Sequence, residues 1–120
     1  MSAVVSLGLT LAGCSNGFDY SKGRRMTGGD PIVGKRAIFK RDCTSCHVIP
    51  GFEGNTEVAG PALSHWAKHG MIEDTWPNTP ENLERWIRFS ETMNPETVMK
   101  LLSVNEKDAK DISAYLFSLQ

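Results

Sequence analysis

Two thiols three positions apart, followed at once by an imidazole, make Cys43-Thr44-Ser45-Cys46-His47 the chemically loaded stretch of this chain. On a helical turn, positions i, i+3 and i+4 share one face, so both sulfurs and the ring can address a single flat object together. The pattern is that of covalent haem attachment, in which the thiols add across two vinyl groups as thioethers and the imidazole Nε2 binds iron from the same side. A thioredoxin-like redox pair is one alternative, but it needs a preceding strand and an α/β pattern, and neither is visible. Half of a zinc site is another, yet the chain has no second cysteine pair. Cys14 lies in the leader, so His65 and His69 would be the only ligands left over. A structural disulfide is the third.

The leader places this chemistry in a compartment. Residues 1–13 carry no charge and are rich in Val and Leu, which suits the apolar region of an export signal and falls short of the roughly 20 residues a membrane span needs. Leu11-Ala12-Gly13-Cys14 resembles the lipobox of bacterial lipoproteins. That resemblance implies a lipid anchor on Cys14 and a protein tethered to a membrane without spanning it. The alternative is an ordinary cleaved signal in which Cys14 is a plain thiol. A signal normally opens on a basic residue and none precedes Lys22, so the coding start is expected further upstream. After Cys14, the run to Gly29 holds glycines at 17, 23, 28 and 29 among polar residues with no periodic apolar face, and reads as a flexible tether. The division expected is therefore 1–13 signal, 14–29 lipidated cysteine and linker, and 30–120 one folded domain.

Composition agrees with a single small domain: 120 residues, 40% hydrophobic, 22% charged, with a net charge of −1. Near-neutral charge argues against nucleic acid as a partner. The total hides an asymmetry, +4 over residues 1–50 and −5 over the rest, with basic residues gathered just before Cys43. They form either a solvated helix face or a docking rim for an acidic partner.

The positioning elements read as helices. Asp30 as cap and Pro31 at the first position open one that carries Val33, Ala37 and Phe39 towards the cysteines. Thr79-Pro80-Glu81-Asn82 opens another with Leu83, Trp86 and Ile87 on its inner face. Ser103-Val104-Asn105-Glu106 has the form of a capping box before Ala109, Ile112, Tyr115, Leu116 and Leu119, which recur at steps of three and four.

From about Asp30 to its end the chain resembles the class I cytochrome c family, on the Cys43–His47 motif and three further segments. The resemblance implies an all-α fold of three to five helices wrapped around one covalently bound haem c. It implies a crossing of first and last helices at a glycine and an aromatic pair, matched by Gly34, Phe39 and Tyr115. Pro95-Glu96-Thr97-Val98-Met99 is similar to the family's methionine loop, which makes Met99 the sixth iron ligand opposite His47, with Met93 as runner-up. Glu96 stands where glycine is frequent and Lys100 where proline is frequent. His65 or His69 as the sixth ligand is the other option, although a surface or capping position suits both. Gly60-Pro61-Ala62-Leu63 looks like the segment whose proline carbonyl accepts the Nδ1 proton of the ligating imidazole and whose leucine packs on the ring. Trp86 would line the methionine side, and Trp76 and Thr97 would reach a propionate. The haem set is thus Cys43, Cys46, His47, Pro61, Leu63, Trp86, Thr97 and Met99, with iron between His47 and Met99.

What the resemblance implies functionally is a one-electron carrier without catalytic residues, in a bacterial respiratory chain. Its partners would be a quinol–cytochrome c reductase or a terminal oxidase, and its place the periplasmic face of a membrane. The Asn78–Leu83 segment and Trp86-Ile87 look most like single-haem cytochromes associated with terminal oxidases. Alternatives are a haem gas sensor, a peroxidase-like enzyme with a displaceable sixth ligand, or a fixed subunit of a respiratory complex.

Overall fold

A computed structural model describes residues 3–5, 8, 17–54, 59–99 and 103–120; Cys14, and with it the expected lipidation, lies outside them. Among the described residues four helices carry the fold: α1 (Tyr20–Thr27), α2 (Pro31–Lys40), α3 (Pro80–Met93) and α4 (Glu106–Phe117). Single 3₁₀ turns occupy Cys43–Ser45 and Trp66–Lys68. A two-residue antiparallel pair, β1 (Met71–Ile72) with β2 (Trp76–Pro77), precedes α3.

The helix starts follow from local chemistry. Asp30 accepts the Ile32 and Val33 amides at 2.9 and 3.4 Å, and Pro31 supplies a first helical position with no amide to satisfy. Those amide bonds, the Ile32 one foremost, hold the Asp30 carboxyl below its ordinary range. Thr79 caps α3 through the Asn82 amide at 3.2 Å, again with proline next. The cap of α4 differs from expectation. Asn105 fills it, accepting from the Asp108 amide at 2.7 Å, while Ser103 sits at φ 50° in the left-handed region, where it cannot serve as an extended N-cap.

Helix α4 is the central beam. From Asp111 to Leu119 every residue is buried, and α1, α2 and α3 all pack against it. A Cβ added to Gly34 of α2 would fall on the Asp111 carbonyl oxygen, and one added to Gly23 of α1 on that of Ala114. These two glycines let the helices approach backbone to backbone.

Two expectations are corrected here. The segment read as a flexible tether is folded from Gly17 onward: Asp19 donates to the Ser118 carbonyl at 2.7 Å, Gln120 to that of Gly17 at 2.9 Å, and Phe18 bridges Leu119. Its glycines at 23 and 29 are contact points against α4, which polar composition disguised. Phe39, expected to meet Tyr115, is instead 75% exposed. Ile38, one residue earlier and four after Gly34, takes the buried position. Tyr115 packs against Phe18, Tyr20 and Phe52, with ring centroids 6.1, 6.4 and 6.0 Å away.

Candidate functional site

An apolar cleft opens between α2, α3 and α4. Its aliphatic wall comes from Ile38, Ile49, Leu63, Ile87, Val104, Ile112 and Leu116, and its chemically active members are Cys43, His47 and Met99. Cys46 is exposed beside His47, and the two cysteines are not joined to each other. Burial pushes the Cys43 thiol upward in pKa, as expected of a sulfur facing hydrocarbon.

His47 is fixed from two sides. Its own amide donates to the Cys43 carbonyl at 3.0 Å, and its Nδ1 stands 2.7 Å from the Pro61 carbonyl oxygen. With the Nδ1 proton given to that oxygen, the Nε2 lone pair is free for a metal. The strip that carries Pro61 is laced to the motif: Gly60 donates to the Cys46 carbonyl at 2.7 Å and Leu63 to that of Val48 at 2.9 Å. Gly60 is required by close approach, since an added Cβ would lie 2.5 Å from His47 Cε1.

Met99 is held through its backbone. Its amide donates to Thr97 Oγ1 at 3.2 Å, and its carbonyl accepts from the Ser90 hydroxyl. The structure therefore brings Cys43, His47, Leu63 and Met99 to one cleft, puts Pro61 on the imidazole and Thr97 on the methionine amide, and leaves Cys46 at the surface. Trp86 is buried behind the wall against Trp76, with centroids 5.9 Å apart. The cleft position expected of Trp86 belongs to its neighbour Ile87. Met93 packs on the core outside the cleft. His65 and His69 are engaged elsewhere, on the Gln120 and Ser64 carbonyls at 2.6 and 3.1 Å. Ser90 escaped the sequence reading and carried no signal in it; Ile87 was read as inner-face and Gly60 as the residue before Pro61, without their parts in the cleft wall and against His47.

Among the described residues no group of three or more His, Cys, Asp or Glu side chains could hold a metal ion, so the zinc alternative finds no ligand set. An aliphatic cleft with an imidazole, a thioether and a thiol on its wall suits haem iron and a porphyrin. A family model described as "Cytochrome c" matches residues 34–120. The chain belongs to the cytochrome c family. It is also 31% identical over 88 residues to "Cytochrome c oxidase subunit 2" of Alkalihalophilus pseudofirmus, a match that covers 72% of this chain and 25% of that relative. The cytochrome c fold, one covalently bound haem c and haem-based electron transfer come with membership. The residues described here fit that group.

Proposed function

We propose that this cytochrome carries single electrons in a bacterial respiratory chain, with haem c linked through Cys43 and Cys46 and its iron held between His47 and Met99. The observation that carries the reading is that His47 and Met99 reach one apolar cleft, the His47 ring held on the Pro61 carbonyl and the Met99 carbonyl held by the Ser90 hydroxyl. The haem supplies one chemistry when bound, exchange between ferrous and ferric iron. Every other part of the task falls to the chain. Pro61 holds the Nδ1 proton of His47 and so fixes its tautomer. Ile38, Ile87, Ile112 and Leu116 exclude water, and a dry wall disfavours the additional charge of the oxidised state. The Met99 thioether favours the reduced metal. With His47 and Met99 both holding the iron, a substrate would have no place to bind it, which would separate a carrier from an enzyme.

A terminal oxidase is the partner that the relative's name supports, and the basic residues before Cys43 suit an acidic docking surface. The same match, which falls on a piece of an oxidase subunit, keeps a fixed place in an oxidase complex as the second reading. A quinol–cytochrome c reductase as donor, export to the periplasmic face, and a lipid anchor on Cys14 complete the proposal. The test is spectroscopic. Ferric holoprotein is expected to show the weak far-red band of an iron–methionine bond, Met99→Ala to abolish it, and the reduced wild type to bind CO slowly. Rapid CO binding by the wild type would overturn the carrier reading in favour of a sensor or a peroxidase-like enzyme. Cross-linking in membranes reports whether an oxidase is the neighbour.

A further inference from the structure

The methionine loop, Asn94 to Met99, begins and ends on one residue of α3. The Ser90 carbonyl accepts the Asn94 amide at 2.8 Å, and the Ser90 hydroxyl donates to the Met99 carbonyl. Ser90 is only 4% exposed. It follows Phe89, whose backbone leaves helical geometry at φ −136° and ψ 34°. Inside the loop, Thr97 donates to the Asn94 carbonyl at 3.0 Å and the Glu96 amide to Asn94 Oδ1 at 3.1 Å. The loop is thus laced by short-range backbone and side-chain bonds, and among the described residues Ser90 ties both of its ends to α3.

We propose that Ser90 is a positioning residue for Met99, closing the loop so that the thioether stays in the cleft and other ligands are kept off the iron. The inference rests on the reading of Met99 as sixth ligand and deepens it. A clasp on the Met99 carbonyl fixes the Cα from which the thioether reaches inward. Removing it leaves the sulfur in place but raises the fraction of molecules in which the loop has swung away. Loss of one buried hydrogen bond shifts such an equilibrium about five- to tenfold. An external ligand that binds only the open form gains apparent affinity by the same factor.

The probe is imidazole added to ferric holoprotein, compared among wild type, Ser90→Ala, Ser90→Thr and Met99→Ala, with far-UV circular dichroism melts of each. Ser90→Ala is expected to keep the far-red iron–methionine band and to bind imidazole about five- to tenfold more tightly. Ser90→Thr, which retains the hydroxyl, is expected to stay within about twofold of wild type. Met99→Ala sets the limit of an open site. Wild-type imidazole affinity in Ser90→Ala overturns the proposal, and a lowered melting temperature with that affinity unchanged assigns Ser90 a merely structural part. Should Ser90→Thr melt early, the alanine variant alone decides. A wild type without the far-red band refutes the ligand assignment itself, which is a different failure from that of the clasp.

Discussion

Replacing Gly34 by alanine tests the contact on which the helical frame turns. The added Cβ would coincide with the Asp111 carbonyl oxygen, lie 2.5 Å from the carbonyl carbon and 3.0 Å from the Ile112 amide. These are backbone atoms inside a buried helix, so neither side can swing aside, and α2 must move off α4 by more than about 1 Å to restore ordinary contact distances. Overpacking of this kind costs about 1–3 kcal/mol. The displacement also loosens Ala37 and Ile38, which are buried on the same helix. Against this, alanine is better than glycine inside a helix by about 0.5–1 kcal/mol. The balance is a loss of about 1 kcal/mol, or roughly 4–8 °C in melting temperature for a domain of this size. The control is Gly70→Ala, where an added Cβ meets nothing within 4 Å and the change is expected to be neutral or slightly stabilising. Thermal melts of the two haem-loaded variants, followed by circular dichroism, decide. A Gly34→Ala melting temperature equal to that of Gly70→Ala would refute the close-approach reasoning.

Gly23→Ala is expected to lose stability for the same reason, because its Cβ would meet the Ala114 carbonyl oxygen and lie 3.0 Å from Ser118 Oγ; a flexible tether would tolerate it, so an unchanged denaturation midpoint removes α1 from the domain. Tyr115 is fully buried, donates its hydroxyl to the Pro50 carbonyl at 2.6 Å, and has its pKa pushed up to about 12, chiefly by burial. The folded phenol therefore keeps its proton where the unfolded one, ionising near pH 10, has lost it. Its contribution is fully present below about pH 10 and falls as pH rises towards 12, by on the order of 2 kcal/mol. Tyr115→Phe should be less stable than wild type by about 1 kcal/mol at neutral pH, and guanidinium titrations should show that deficit shrinking and then reversing between about pH 10 and 12. A deficit constant across that range contradicts the burial of the phenol.

The chemistry was legible because covalent attachment constrains residue type and spacing together. Cys43, His47 and Met99 reach one cleft, and the Pro61 carbonyl lies 2.7 Å from His47 Nδ1. Helix starts were legible at Asp30 and Thr79, where cap and proline act within a few residues. What escaped depends on contacts distant in the chain. Nothing local separates Gly23, pressed against Ala114, from a linker glycine. Phe39 and Ile38 are both apolar, and only the rotation of α2 against α4 decides that the smaller one goes inside. The same holds for Trp86 and Ile87, adjacent on α3, where the aromatic residue backs the wall and the aliphatic one forms it.

Helix α4 joins the frame to the site. Gly34 sets the height of the Asp111 carbonyl, directly before Ile112, and Gly23 that of Ala114, midway between Ile112 and Leu116; both of those side chains face the cleft. The two outer helices therefore position the cleft wall from behind. Rotation of α4 is resisted further by the Asp111 carboxylate, which accepts the Asp30 amide at the start of α2 at 2.8 Å. Close-packed interiors have low compressibility and transmit strain. A carrier that gains and loses one charge in this cleft needs surroundings that move little between the two states. Helix α1 packs on α4, and the residues leading into it, Gly17 and Asp19, are bonded to Gln120 and Ser118 just past the end of α4, which supplies backing for that rigidity from outside the matched span of residues 34–120.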